Sequence, residues 1–249
     1  MSGHSRWAGI KHKKAIVDAK KGKVFTRIGR EISVAAREGG GVIDNNARLR
    51  KAIEDAREAN MPQENIKRAI QRGTGEIPGV HYEEVRYEGY GAGGVAVLVE
   101  ATTDNRNRTS SEIRKIFADH SGAVGDAGSV SWMFALKGVI AVDKKNVDEE
   151  KLLTLALESG AEDLKTDDEE FYEIYTAPHD FENVKAALKT KAISVANAEV
   201  TQVSQTLVPV AGEKAENVLR LMSALEDHED VKSVYSNFDI PKEILLKVH

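Results

Sequence analysis

The chain has 249 residues, 41% hydrophobic and 30% charged, a composition that supports a packed core and excludes a disordered chain. It contains no cysteine, which excludes disulfides, thiolate metal sites and a cysteine nucleophile. The net charge of −5 is unevenly spread: residues 1–75 carry 17 Lys+Arg against 8 Asp+Glu, and residues 76–249 carry 18 against 32.

A basic head on an acidic body points to a polyanion partner for the head. The competing account is charge that varies between domains for solubility. No apolar stretch follows the N-terminal charges and none reaches the length of a membrane span, so a cytoplasmic protein without membrane contact is expected. A reducing compartment agrees with the missing cysteines.

Residues 1–23 hold too few apolar positions for a helical stripe and read as a basic arm. Phe25, Ile28, Ile32 and Ala35 then recur at helical spacing until Gly39-Gly40-Gly41 stops the pattern. Leu49, Ala52, Ile53 and Ala56 mark a second helix, with Asn45 or Asn46 as its cap. Asn60-Met61-Pro62 ends it and puts Pro62 in the first turn of a third helix, whose Ile66, Ala69 and Ile70 face inward before Gly73 and Gly75 close it. Residues 24–78 therefore read as a three-helix bundle.

After Pro78 the period becomes two. Strands are expected at 81–88 and 94–101, the second apolar enough to be central. A helix with Ile113, Ile116 and Phe117 on one face follows, with Thr109 and Glu112 as a capping box near its start, and then a strand at Ser129–Phe134. From Gly138 the order is strand 138–143, helix 148–159, strands near 162–168 and 171–176, helix 181–190 and strand 195–203, the βαββαβ pattern of a ferredoxin-like unit.

Val218, Leu219, Met222 and Leu225 mark one more helix, and 231–238 one more strand. These two elements are expected to return to the sheet of 79–135, which would otherwise leave a face uncovered. The expected fold class is α+β: an N-terminal three-helix bundle followed by two α/β-sandwich (ferredoxin-like) domains, the middle one discontinuous. The boundaries are an arm at 1–23, a bundle at 24–78, an α+β domain at 79–135 plus 205–249, and an inserted domain at 136–204. A monomer is the default oligomeric state.

Gly89, Gly91 and Gly94 satisfy G-x-G-x-x-G, but the β-branched run Val95–Val99 follows where a dinucleotide site needs a helix. A hairpin turn accounts for them better. The triplet Asn107-Arg108-Thr109 matches a glycosylation acceptor and carries no weight without a secretory signal.

The arm and its continuation carry the functional signal. Residues 1–30 hold nine Lys+Arg with Asp18 the single acid, and Trp7, His4 and His12 lie among them. Crowded cations repel one another, and a phosphate backbone relieves that repulsion while releasing counterions. An exposed indole can stack on a base or wedge at a base step. The candidate nucleic-acid contacts are His4, Arg6, Trp7, Lys11, His12, Lys13, Lys14, Lys20, Lys21, Lys23, Arg27 and Arg30. The competing account packs Trp7 on the bundle and leaves the lysines merely solvated.

A second cluster, Thr102–Thr109, sits at a strand-to-helix junction, where Arg106 and Arg108 with free backbone N–H groups would make an anion site. Alternatively Asp104, Asn105 and Thr109 are caps and the arginines pair with acids. Both readings stand at this point. The histidines show no metal-ligand spacing, and neither a nucleophile elbow nor a P-loop is present. No catalytic residue, cofactor or metal is expected; an enzyme acting at Asp104 and Arg106 is the outlying hypothesis.

The string Gly3-His4-Ser5-Arg6-Trp7-Ala8-Gly9-Ile10-Lys11-His12-Lys13-Lys14 resembles the opening of the YebC/PmpR family, which includes mitochondrial translational activators. Asn60-Met61-Pro62, Tyr87-Glu88-Gly89-Tyr90-Gly91, Thr103–Thr109 and Gly128–Phe134 are similar to that family's blocks and come in its order. Arg6 stands where lysine is commoner, and Ile43-Asp44-Asn45 where Asp-Pro is frequent. The resemblance implies a three-domain cytoplasmic DNA-binding transcriptional regulator. Its alternative is a ribosome-associated translation factor that places the same arm in rRNA. An arm that reads backbone phosphate does not by itself distinguish the two.

Overall fold

A computed structural model of the chain describes residues 21–245. It begins with helix α1 (Lys21–Gly39), followed by α2 (Ala47–Glu58) and α3 (Gln63–Thr74). Ile32, Ala35 and Ala36 of α1 pack with Leu49, Ala52, Ile53 and Ala56 of α2 and with Ile66 and Ala69 of α3, with Met61 closing the cluster. Each fully buried Leu or Ile among them contributes about 1.5–3 kcal/mol.

Asn46 is the cap of α2. Its Oδ1 accepts from Leu49 N at 3.0 Å, and its Nδ2 donates to the carbonyls of Ala35 (2.7 Å) and Gly40 (2.9 Å), so one buried amide ties the end of α1 to the start of α2. Pro62 stands just ahead of α3 as its N-cap, one position earlier than the sequence suggests. Gly73 lets α3 cross α1 closely: a Cβ there would lie 2.4 Å from the Ser33 carbonyl oxygen.

The first sheet is built on the hairpin of β1 (Glu83–Tyr90) and β2 (Ala96–Thr103). The 89–94 glycines turn this hairpin, Gly93 and Gly94 at φ +76° and +77°, and a strand follows them, as no dinucleotide fingerprint would allow. Helix α4 (Arg106–Asp119) then leads to the short β3 (Ala123–Val124), which pairs with Gly89 and Tyr90 of β1.

Two local expectations are revised here. Asn105, whose side chain accepts from Arg108 N at 3.1 Å, caps α4, while Thr109 lies inside the helix. Residues 129–133 do not form a strand: Ser131–Met133 is a 3₁₀ turn, and Phe134 instead begins β4, which runs unbroken to Asp143. The reason is Glu88, whose buried carboxylate accepts from the N–H groups of Gly128 (2.8 Å), Val130 (2.7 Å) and Ser131 (2.8 Å), donors that a strand would have sent to a ladder. Burial pushes the Glu88 carboxyl up, but these donors outweigh it and hold it below the usual carboxylate range.

The second sheet contains β4, β5 (Ala161–Lys165), β6 (Phe171–Thr176) and β7 (Val195–Ser204), with α5 (Glu149–Glu158) and α6 (Phe181–Thr190) on one face. Its order β5-β6-β4-β7, antiparallel throughout, is the ferredoxin-like arrangement. The chain then forms β8 (Val208–Pro209), α7 (Gly212–Asp227), β9 (Val231–Ser236) and β10 (Phe238–Asp239), ending the described residues in α8 (Lys242–Leu245).

β9 pairs antiparallel with β2, giving the first sheet the order β3-β1-β2-β9. Val218, Leu219, Met222 and Leu225 of α7 join Ile113 and Phe117 of α4 over Val85, Tyr87, Val97 and Val99. This sheet shares the two-layer make-up of the second but differs in strand order. The expected strand 231–238 is split at Asn237, whose side chain accepts from Ala96 N at 2.7 Å, and β10 instead pairs in parallel with β8.

Candidate nucleic-acid interface

Helix α1 carries the basic run into the body of the protein, and its cations meet the C-terminal end of α7. The last carbonyls of a helix have no partner within it and carry the negative end of its dipole. Lys23 Nζ donates to Asp227 O at 3.1 Å, and Arg27 donates to Glu226 O and, at 3.3 Å, to His228 O. Burial pushes the Arg27 guanidinium below its ordinary value, against the pull of Glu226 and Asp227.

Arg30 goes deeper. Its Nη1 donates to Glu229 O and to Asp230 Oδ1, both at 2.7 Å, and its guanidinium lies over the Tyr82 ring at 5.5 Å. Asp230, with a side chain only 2% exposed, is the hub of this contact. Its Oδ2 accepts from Arg108 Nη2 at 2.8 Å, from Thr109 Oγ1 at 2.6 Å and from Thr103 Oγ1 at 3.3 Å. Burial pushes the Asp230 carboxyl up, but the Thr109 and Arg108 donors and the two guanidinium charges prevail and hold it below its usual value.

A second junction runs beside the first. Arg48 of α2 donates to Glu31 at 2.7 Å, to Glu38 at 2.7 Å and to Glu84 of β1 at 2.6 Å, while Lys232 of β9 pairs with Glu31 at 2.8 Å. The Glu31 bond leads in raising the Arg48 guanidinium above its ordinary value. Arg37 completes this side with a bond to Tyr82 O at 3.3 Å and a contact to His81. From Lys23 to Glu31, helix α1 is thus tied to elements about 200 residues away in sequence.

His4, Arg6, Trp7, Lys11, His12, Lys13, Lys14 and Lys20 lie outside the described residues, and Lys21 opens α1. Lys23, Arg27, Arg30 and Arg108, expected on phosphates, are in this structure hydrogen-bonded to the chain's own carbonyls and carboxylates. Their geometry makes them positioning residues: they hold the helix that continues from the arm against the end of α7. The Thr102–Thr109 segment accordingly serves as cap and ion-pair scaffold, with Arg108 also bonded to Asp104 at 2.8 Å. Arg106 is different. It is exposed, and among the described residues it pairs with no carboxylate.

Glu112, His228 and Asp230 come within metal-binding distance of one another, but the residues do not suit a cation. Asp230 already accepts from two guanidinium groups and two threonine hydroxyls. His228 Nδ1 accepts the Asp230 N–H at 3.1 Å, which leaves the Nε2–H facing Glu112 at 2.8 Å and no free lone pair. Nothing in the sequence singled out Asp230 or Arg48. An aspartate in the stretch His228-Glu229-Asp230 looks like any other acid of an acidic body, and only the fold brings Arg30 and Arg108 to it.

What this architecture defines is an α+β protein whose basic leading helix is locked onto the end of an acidic body, with the basic arm ahead of the lock. Comparison with known proteins agrees over nearly the whole length. Residues 5–76 match the TACO1/YebC protein N-terminal domain, and residues 82–238 match the TACO1/YebC second and third domain. The chain belongs to the TACO1/YebC family. It is 60% identical to a probable transcriptional regulatory protein of Endomicrobium trichonymphae over 100% of both chains. It is also 58% identical to one of Dictyoglomus turgidum over 98% of each. A crystal structure of a conserved hypothetical protein from Aquifex aeolicus superposes with TM-score 0.79 at 50% identity, covering 93% of this chain and 95% of that one. No helix among the described residues is long and apolar enough to cross a membrane.

Proposed function

We propose that this chain is a cytoplasmic, non-enzymatic regulator of transcription that grips duplex DNA through its basic N-terminal region. The observation that carries the reading is the charge of the arm: residues 1–20 hold five Lys+Arg against Asp18 alone, with Trp7 among them. The arm also lies almost wholly inside the matched N-terminal family span, and the relatives' names supply the link to transcription. Arg27 and Arg30 anchor the helix that follows the arm in sequence. Arg6, Lys11, Lys13, Lys14 and Lys20 would then contact phosphates, with Trp7 at a base step and His4 and His12 beside it.

The test is a salt series against a promoter duplex. Each phosphate neutralised contributes about −0.9 to the slope of log K against log salt for B-DNA. Lys13→Ala with Lys14→Ala should lower the slope's magnitude by roughly two; an unchanged slope refutes the arm. Ribosomal RNA is the competing polyanion, and the same series run against ribosomes ranks the two.

A further inference from the structure

The second sheet carries its helices on one face. Antiparallel pairing puts opposite residues on the same side, so Asp163, Tyr175, Val139 and Glu199 form one row across β5, β6, β4 and β7, with Glu173 in the next row beside Ala141. The cluster under α5 and α6 takes the alternate residues, Ile140, Val142, Tyr172 and Ile174. Both rows therefore face away from the helices. Yet the centre of this face is closed to water: Val139 is 7% exposed, Tyr175 5% and Glu173 2%. Among the described residues, Val139 and Tyr175 join none of the hydrophobic clusters.

This floor is apolar and acidic at once. Glu173 accepts from Tyr175 Oη at 2.8 Å, and burial pushes its carboxyl above the usual range despite that bond. Exposed Asp163 and Glu199 flank the floor, and the β5–β6 loop at its end carries Asp167, Asp168, Glu169 and Glu170. Two lysines offset part of this charge. Lys165 Nζ lies 4.9 Å from the Tyr175 ring centre, and Lys137 pairs with Glu162 at 2.5 Å. Such a face repels nucleic acid and suits a cationic segment that also brings apolar atoms.

The chain contains one such segment. Residues 1–20 carry Arg6, Lys11, Lys13, Lys14 and Lys20 around Trp7 and Ile10, with Asp18 the lone acid. They end at α1, whose start is held at the 226–230 turn by Lys23, Arg27 and Arg30. That turn leads into β9, and β9 touches β7, an edge strand of the second sheet. The six residues of β9 span about 20 Å, whereas twenty extended residues reach about 66 Å, enough to cross four strands.

We infer that in the free protein residues 1–20 dock on the helix-free face of the second sheet, their cations on Asp163, Glu173 and Glu199 and their apolar residues on Val139 and Tyr175, and that nucleic acid binds by displacing them. The face is then the arm's own counter-polyanion. The competition rests on the reading of the arm as the DNA grip; the docking itself does not.

The test uses the full-length chain. Carbodiimide, a zero-length reagent that joins an amine to a carboxylate touching it, is applied to a mixture of unlabelled and 15N-labelled wild type, and the joined peptides are read by mass spectrometry. The expected products join Lys11, Lys13, Lys14 or Lys20 to Asp163 or Glu199 within single chains, and they disappear when a 20-base-pair duplex is added. Asp163→Asn with Glu199→Gln should bind the duplex about fivefold tighter than wild type, because two exposed pairs that close the arm are gone. That advantage should shrink as salt rises. Glu150→Gln with Glu158→Gln removes the same charge from α5, on the other face, and should change affinity less than about twofold. Equal tightening in the two variants overturns the proposal. Arm lysines joined to other carboxylates, or to none, overturn it as well, and products found only between labelled and unlabelled chains overturn it in favour of a second copy's arm. If arm and face are joined within one chain but no variant binds the duplex, the docking holds and the DNA reading fails.

Discussion

Removing the carboxylate at the centre of the lock should loosen α1 from the body. In Asp230→Ala the Arg30 guanidinium, 11% exposed, keeps Glu229 O at 2.7 Å but faces no acid. Deleting one partner of a buried pair costs about 3–5 kcal/mol, and the surviving carbonyl puts this case near 3 kcal/mol. Arg108, 42% exposed, adds little, because solvent screens it and Asp104 remains its partner. Thr109 retains the Asn105 carbonyl at 3.2 Å.

The effect belongs to the docking of α1 and not to the bundle core, so hydrogen exchange is the assay. Amides of residues 24–34 that exchange by detachment of α1 should exchange about a hundredfold faster, the equivalent of roughly 3 kcal/mol. Arg108→Ala should stay within about 1 kcal/mol of wild type. The pH dependence has a definite sign. A carboxyl held below its usual value in the folded protein stabilises fully above the unfolded value of about 4, and the contribution disappears as pH falls through the lower folded value. Wild type should lose α1 protection in that acid range and the alanine variant should not. Unchanged exchange across α1 in Asp230→Ala would refute the lock.

Glu88→Gln leaves three N–H donors, the one of Val130 buried and the other two partly so, to share one amide oxygen, and a cost of about 1–3 kcal/mol with new proteolytic cleavage in residues 126–133 is expected. Because the Glu88 carboxyl is also held low, that loop should open in wild type as pH drops below about 4. Gly73→Ala pushes a Cβ to 2.4 Å from the Ser33 carbonyl oxygen, so the α1–α3 crossing must spread; a loss of about 1–3 kcal/mol is expected in thermal melts. Phe117→Ala empties the space between α4 and the first sheet, and about 3–5 kcal/mol should be lost by denaturant titration.

Periodicity and breakers made most of the architecture legible. The α1, α2 and α3 stripes, the hairpin at the 89–94 glycines and the βαββαβ order of residues 134–204 each follow from local rules of spacing and turn chemistry. So did the return of α7 and β9, because an amphipathic helix and a strand without a neighbour must find an uncovered sheet. Local reading failed where a side chain captured backbone groups. Glu88 turned the expected 129–134 strand into an anchored loop, while of the cap candidates Asp104, Asn105 and Thr109 the fold uses Asn105.

The arm's charge is a property of the sequence alone, since like charges packed into one short stretch need a counter-charge whatever the fold. Which cations already have that counter-charge is decided only by tertiary structure. Arg30 and Arg108 are separated from Asp230 by 200 and 122 residues, and no spacing rule reaches that far. The same long-range packing gathers Asp163, Glu173 and Glu199 from three strands onto the helix-free face of the second sheet. Sequence assigns the charge, and the fold decides whether it faces the protein or a ligand.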